Sequence, residues 1–192
     1  MSNPTRDKIV ATTADLLERQ GYAATGLNQI VKESATPRGS LYYYFPDGKE
    51  ELAVEAVKQR MNDMAEFSRQ ALSQVDDPIE AVFSMIMGMA QTMEKGDCCS
   101  GAPIAAVALE ASNSSERLRQ ACSDGYQQLQ DVLAAKLIMG RFSAAQAKAL
   151  AATINASLEG AMILGRTNRN AATLRTVANS LKLLMQTTLE NK

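Results

Sequence analysis

Apolar residues recur at intervals of three or four along most of this 192-residue chain, which is the spacing of amphipathic helices. Helix start and stop signals divide the pattern into nine segments, and strand-like alternation is missing from the sequence. The pattern predicts an all-α protein of nine helices, short near the N-terminus and mostly long after it.

Capping residues and prolines place the first three predicted helices. Thr5 is expected to cap the first helix, which ends at Gly21, and Thr25 is expected to cap the second. Pro37 then interrupts the chain, because proline disfavours a helical conformation in the residue before it. The third helix is predicted to cover residues 38–45.

Further capping signals divide the rest of the chain into longer helices. The predicted N-terminal caps are Asp47 with Glu50, Asp77, Ser114, Ser143 with Gln146, and Asn170. The corresponding helices are expected to end near Ser73, Lys95, Gly140, Arg166 and Leu189, with a short helix at about 102–111.

Four of the nine aromatic residues are consecutive, at positions 42–45. If residues 38–45 are helical, Leu41 and Phe45 share one face and can anchor the helix to the core. Arg38 and Tyr42 then turn outward, together with Gly39 and Tyr43, and Tyr44 lies at the edge. Two short helices joined by a tight turn predict a helix-turn-helix.

The outward residues are suited to DNA. An arginine donates paired hydrogen bonds to guanine, and a tyrosine hydroxyl can bond a phosphate. Gly39 has no side chain, so a phosphate or a base edge can approach the backbone closely. The alternative is an aromatic patch that packs the small domain onto its neighbour.

The first 55 residues resemble the TetR family of bacterial transcriptional regulators. The matching segments are Gln20-Gly21-Tyr22, Thr25 with Ile30-Val31, Arg38-Gly39-Ser40-Leu41-Tyr42-Tyr43-Tyr44-Phe45 and Lys49-Glu50-Glu51-Leu52. The resemblance implies that residues 37–44 form the recognition helix. The implied DNA-binding residues are Thr25, Thr36, Pro37, Arg38, Gly39, Tyr42, Tyr43, Tyr44 and Lys49.

Two further features resemble the LmrA/YxaF-like branch of that family. One is an extra residue within Pro46-Asp47-Gly48, and the other is the segment at 101–110, which runs GAPIAAVALE. The resemblance implies a nine-helix TetR-like architecture. Residues 1–47 would then form a DNA-binding domain with three helices, and residues 48–192 a larger domain for ligand binding and dimerisation.

The last two predicted helices are candidates for a dimer interface. The helix at 143–166 is apolar on two sides, so it needs two packing partners. The resemblance implies that this helix and the last one pair with their copies in a second subunit; burial within a monomer is the other interpretation. The expected interface residues are Ala149, Ala152, Ala156, Gly160, Ile163, Leu174, Val177, Leu181 and Leu184.

Six of the ten methionines lie between Met61 and Met93. Methionine fills irregular space and adapts to different ligands, so this region is a candidate pocket for a lipophilic or planar inducer. A loosely packed core fits the same pattern. The candidate ligand-binding residues are Met61, Met64, Met85, Met89, Met93, Gln91, Tyr126, Asn155 and Glu159.

Composition narrows the function further. The chain has no histidine and no glycine-rich phosphate loop, which argues against an enzyme and against a cofactor or metal. The first 20 residues lack the apolar run of a signal peptide, so a cytoplasmic protein without a membrane partner is expected.

The sequence therefore predicts a homodimeric, ligand-responsive repressor that binds a palindromic double-stranded DNA operator and is released by a small-molecule inducer. Two alternatives stay open. One is a redox-sensing regulator that acts through the adjacent Cys98 and Cys99, although these cysteines also fit a plain loop and helix start. The other is an all-helical interaction module that does not bind DNA.

Overall fold

The computed structural model describes residues 3–96, 104–111 and 115–190. Nine α-helices and no strand are found in these ranges, so the predicted all-α fold is confirmed. The helices are α1 (Pro4–Ala24), α2 (Leu27–Ser34), α3 (Arg38–Tyr44), α4 (Lys49–Ser73), α5 (Pro78–Lys95), α6 (Ala105–Ala111), α7 (Glu116–Met139), α8 (Ala144–Asn168) and α9 (Ala172–Glu190).

Three predicted N-caps are confirmed. The Asp77 carboxylate accepts hydrogen bonds from the first-turn amides of α5, and Asn170 accepts one from Ala172. Ser143 and Gln146 form the reciprocal capping box of α8. Each of these side chains satisfies an amide that the first helical turn leaves without a backbone partner.

Other cap predictions are wrong by one or two residues. Asn3, not Thr5, accepts from the amides at the start of α1. Gly26, not Thr25, occupies the cap position of α2. At α4, Glu51 rather than Glu50 bonds back to the Asp47 amide.

Two further predicted helix ends lie at Gly21 and at Ser114. The regular part of α1 ends at Gly21 as predicted, because the φ of Gly21 is 78°, which is outside the helical region. Ser114 lies outside the described residues, and the Ser115 hydroxyl accepts from the Leu118 amide at the start of α7.

Packing divides the chain into two compact units. Unit 1 comprises Met1–Asn62 and Ala102–Gly125, and unit 2 comprises Asp63–Gly101 and Tyr126–Lys192. This division by packing differs from the expected functional boundary after residue 47, which stays a prediction. Each unit has its own buried apolar residues, so each can hold its helices in place.

In unit 1, α1 packs against α2, α3 and α6. The largest fully buried side chains of unit 1 come from α1, α2, α3, α4 and α7 and from Phe45. They include Ile9, Leu16, Leu17, Ile30, Leu41, Phe45, Leu52 and Leu118. The helix-turn-helix segment therefore rests on α1 through an apolar face.

In unit 2, α9 packs against both α5 and α8. Their facing sides form one apolar cluster that includes Ile86, Met93, Ile154, Leu174 and Met185. Among the described helices, none is both long enough and apolar enough to span a lipid bilayer.

Candidate nucleic-acid interface

The aromatic run at the end of α3 separates into a buried and an exposed group. Leu41 is 0% exposed and Phe45 is 1% exposed, whereas Tyr42 is 44% and Tyr43 is 79% exposed. Leu41 and Phe45 are four residues apart and therefore lie on the same side of the helix. The predicted division of this run between core and surface is confirmed, with Tyr44 half-buried at the edge.

The exposed side of α3 presents groups that can contact DNA. Pro37, Arg38 and Gly39 are all exposed at its start. The Arg38 guanidinium carbon lies 5.8 Å from the centroid of the Tyr42 ring, which is cation–π distance. A Cβ at Gly39 would meet nothing within 4 Å, so the backbone there is open to a phosphate or base edge.

Two threonines predicted to contact DNA have other partners. The Thr25 side chain is 1% exposed, and its hydroxyl donates to the Gly21 carbonyl oxygen at 2.7 Å. This hydroxyl is therefore not presented to DNA, and the prediction for the Thr25 side chain is corrected. The Thr36 hydroxyl is half-buried and shares a 2.7 Å hydrogen bond with the Ser34 hydroxyl.

Lys49 is directed toward the C-terminal end of α1. Its ammonium donates to the Ala23 carbonyl oxygen at 3.3 Å and lies 4.3 Å from the centroid of the Tyr22 ring. Burial lowers the pKa of Lys49, and the nearby Glu110 carboxylate acts in the opposite direction. In this structure the ammonium contacts Ala23 and Tyr22. A DNA contact by Lys49 stays a prediction.

In unit 2, the structure brings together two of the predicted ligand-binding residues. Tyr126 on α7 donates a hydrogen bond to the Glu159 carboxylate on α8. The other carboxylate oxygen, Oε2, is buried without a hydrogen-bond partner. Burial raises the pKa of Glu159, and the Tyr126 hydroxyl opposes that shift. Asn155, one turn earlier on α8, is 9% exposed.

The methionine candidates do not form one group. Met85 and Met93 are buried in the core cluster of unit 2, while Met64 and Met89 are half-buried. Met61 belongs to unit 1, where it packs against Gly125. Gln91 is exposed, and its role in ligand binding stays a prediction.

A groove of about 530 Å³ in unit 2 was not predicted from the sequence. It lies between the end of α4 and α7, with Leu72, Val132 and Met139 among its apolar lining. Arg69 and Lys136 contribute cationic groups to the same groove. None of the predicted ligand-binding residues lines it.

The cysteines of the redox alternative, Cys98 and Cys99, lie outside the described residues. The third cysteine, Cys122, is buried. Burial raises the pKa of its thiol to about 11. Cys122 is therefore held as the unreactive thiol rather than as the thiolate that redox sensing requires.

The residues of α8 expected at the dimer interface, four small ones and one isoleucine, form an exposed face. Its members are Ala149, Ala152, Ala156, Gly160 and Ile163. Ile163 is 45% exposed, and a Cβ at Gly160 would meet nothing within 4 Å. A second helix can therefore approach this face closely.

On α9 the expected interface residues divide differently. Leu174 is 0% and Leu181 is 4% exposed, so both belong to the core of their own chain, and their prediction as interface residues is corrected. Val177 is half-buried, and Leu184 is 42% exposed. Two further large apolar residues are exposed on these helices and are not among the predicted interface residues, namely Leu183 at 65% and Leu164 on α8 at 50%.

Two stretches of the chain match models of known protein families. Residues 9–56 match the family model for bacterial regulatory proteins of the tetR family. Residues 78–180 match the model for the C-terminal domain of LmrA/YxaF-like transcriptional regulators.

The chain is similar over nearly its full length to two regulators of Bacillus subtilis (strain 168). It is 38% identical to the HTH-type transcriptional regulator YxaF, covering 94% of this chain and 95% of that protein. It is 36% identical to the HTH-type transcriptional regulator LmrA, covering 94% and 96%. The fold also matches the crystal structure of the regulatory protein TetR from Rhodobacter sphaeroides, with TM-score 0.83, 18% identity and coverage of 94% and 98%.

The chain therefore belongs to the TetR family of bacterial transcriptional regulators, in its LmrA/YxaF-like branch. It is a DNA-binding regulator of the helix-turn-helix type. The relatives named above are regulators and not enzymes, which agrees with the expectation from the sequence.

Proposed function

We propose that this regulator is a homodimeric repressor that leaves a near-palindromic operator when a mainly apolar small molecule binds to unit 2. One observation above all supports the DNA-binding part. On α3, Leu41 and Phe45 are buried while Arg38, Tyr42 and Tyr43 are exposed. This division leaves a cation and two phenols available to the major groove without weakening the core.

The proposed dimer uses the exposed face of α8 with the exposed leucines of α9. Large apolar side chains at Ile163, Leu164, Leu183 and Leu184 are exposed on these two helices. Pairing with a second copy removes them from water, and the small residues of α8 allow close packing. A twofold dimer predicts two operator half-sites about one helical turn, or slightly more, apart.

The proposed ligand is mainly apolar and carries one or two hydrogen-bonding groups. The buried Oε2 of Glu159 has no hydrogen-bond partner, and Tyr126 and Asn155 are polar groups of the same unit. A ligand that bonds to Glu159 would satisfy this oxygen, since an unpaired buried polar atom costs free energy. The methionines favour a planar or lipophilic compound over a sugar or a nucleotide.

Release of DNA follows from linkage. The ligand weakens operator binding only by the ratio of its affinities for the DNA-free and DNA-bound conformations. Because α4 contributes residues to both units, we expect ligand binding to move α4 and change the separation of the two recognition helices.

A titration tests this function. A duplex is first selected from a random-sequence pool with the wild-type protein, and the complex is followed by gel mobility shift. A panel of lipophilic compounds is then added, with a sugar and a nucleotide as controls. Release by a lipophilic compound supports the proposal. A complex that every compound leaves intact contradicts its ligand-responsive part, and failure to select any duplex contradicts its DNA-binding part.

A further inference from the structure

The last residues of α1 and the two that follow it, positions 21–26, form a turn that departs from helical geometry at Gly21. Its φ of 78° and ψ of 179° are not helical and place a kink near the end of α1. Within the turn, the Thr25 hydroxyl donates to the Gly21 carbonyl oxygen at 2.7 Å, and the Thr25 amide donates to the Tyr22 carbonyl oxygen at 3.2 Å. These two hydrogen bonds within the turn fix its conformation just before α2 begins at Leu27.

Side chains satisfy the next backbone groups of this turn. The Ala23 amide donates to Oε2 of Glu110 at 2.6 Å, and the Ala23 carbonyl oxygen accepts from Lys49 at 3.3 Å. The Gln20 amide group donates to the Ala24 carbonyl oxygen at 2.9 Å. Glu110 belongs to α6 and Lys49 to α4, so two helices distant in sequence hold the turn.

The glycine and the glutamate fit each other sterically. A Cβ at position 21 would overlap Oε1 of Glu110, and the positive φ of Gly21 is itself unfavourable for any side chain. Glu110 therefore approaches the turn at a position that has no Cβ and whose positive φ disfavours any residue with a side chain. Its hydrogen bond from Ala23 is charge-assisted, which makes it stronger than a bond between neutral groups.

We propose that Glu110 is a positioning residue for DNA binding. Its carboxylate fixes the turn from which α2 starts, and α2 in turn packs against α3, the helix with the exposed arginine and tyrosines. Any displacement of α6 relative to α1 breaks the Ala23–Glu110 bond and loosens the helix-turn-helix at its first joint. This role depends only on DNA binding by the helix-turn-helix and not on the ligand or on repression.

Two substitutions of Glu110 test the role. Glu110→Ala should weaken binding to the selected duplex by at least about tenfold, since a hydrogen bond to a charged group is lost. Glu110→Gln keeps an acceptor oxygen at the same position, so its affinity should recover most of that loss. The matched control is Glu116→Ala, whose carboxylate is 76% exposed and pairs with Arg119 within α7. It should bind DNA like the wild type.

Hydrogen exchange of the Ala23 amide provides a readout that needs no DNA. Exchange should be faster in Glu110→Ala than in the wild type and intermediate in Glu110→Gln, while the amides of α9 stay unchanged. The proposal is overturned if Glu110→Ala binds the duplex with wild-type affinity, or if Glu110→Gln binds no better than Glu110→Ala. Unchanged exchange at Ala23 in Glu110→Ala also overturns it, even if no DNA duplex can be selected.

Discussion

The guanidinium group of Arg38 and the ring of Tyr42 lie side by side on α3, with the guanidinium carbon 5.8 Å from the ring centroid. One helical turn separates the two residues, so both face the same way. One surface therefore combines a cation that can pair with guanine and a hydroxyl that can bond a phosphate.

This pair yields the first prediction. Arg38→Ala should reduce affinity for the selected duplex and relax base choice at one position, by about 1–3 kcal/mol if it pairs with guanine. Tyr42→Phe should weaken binding to all sequences alike, because it removes a phosphate contact. Fluorescence anisotropy with matched and mismatched duplexes measures both effects. Arg69→Ala, also an exposed arginine but in unit 2, is the control, and equal affinity of all four proteins contradicts the placement of α3 on DNA.

Two aromatic residues at the end of α3 should differ in how much they contribute to stability. Phe45→Ala should lower the free energy of unfolding by about 3–5 kcal/mol, because it opens a cavity in the core of unit 1. Tyr43→Ala should change it by less than about 0.5 kcal/mol, since that side chain is largely exposed. Urea denaturation followed by circular dichroism measures both. A stable Phe45→Ala protein would show that this helix is not anchored as described.

The dimer proposal predicts a change in mass. Ala156→Arg should convert the protein from dimer to monomer in sedimentation velocity at micromolar concentration, since it buries an unpaired charge at a close helix contact. Gln127→Arg, which adds the same charge at an exposed position on α7, should remain a dimer. A wild-type protein that sediments as a monomer refutes the proposal.

The location of the ligand can be decided with two tryptophans. Met89→Trp fills space beside the core of unit 2, and Ala135→Trp fills the groove between α4 and α7. We expect Met89→Trp to abolish release by an active compound while DNA binding is retained, and Ala135→Trp to respond normally. If only Ala135→Trp loses the response, the compound binds in the groove instead.

The Glu159 carboxyl predicts a pH dependence of stability. Burial raises its pKa in the folded protein above the ordinary value, so the folded state binds this proton more tightly than the unfolded state. Above the ordinary glutamate pKa the group therefore costs stability, and this cost grows as pH rises toward the folded pKa. Glu159→Gln removes the cost.

Urea denaturation at about pH 5 and about pH 8, at fixed protein concentration, tests this sign. The free energy of unfolding of Glu159→Gln minus that of wild type should be larger at the higher pH, which means that the variant gains stability relative to wild type as pH rises. A difference that is independent of pH, or that falls as pH rises, would show that the carboxyl is not held in a site that disfavours its charge.

Local patterns were enough to predict the helices and several of their caps. Asp77 precedes a proline, and Ser143 precedes Gln146 by three residues, so each of these signals indicates a single position for the start of a helix. The cap predictions for Thr5 and Thr25 were wrong for different reasons. Asn3 takes the role at α1, and the Thr25 hydroxyl is used inside the preceding turn.

Tertiary packing explains what the sequence did not predict. The spacing of apolar residues on α9 does not tell which side of the helix faces the core of its own chain. Leu181 was therefore predicted for the dimer interface although it is buried, and Leu183 was not predicted although it is exposed. The contact of Glu110 with Ala23 joins residues 87 positions apart, and no local pattern predicts such a pair.

Site-specific crosslinking from α3 tests the central claim most directly. Tyr43, which is 79% exposed, is replaced by the photoreactive p-benzoylphenylalanine, and Phe67 on α4, which is 56% exposed, is replaced in a separate control protein. Each protein is bound to the selected duplex and irradiated. We predict a covalent protein–DNA product from position 43 and none from position 67. A complex that forms normally but gives no product from position 43, or gives as much from position 67, would contradict the assignment of α3 as the helix that contacts DNA.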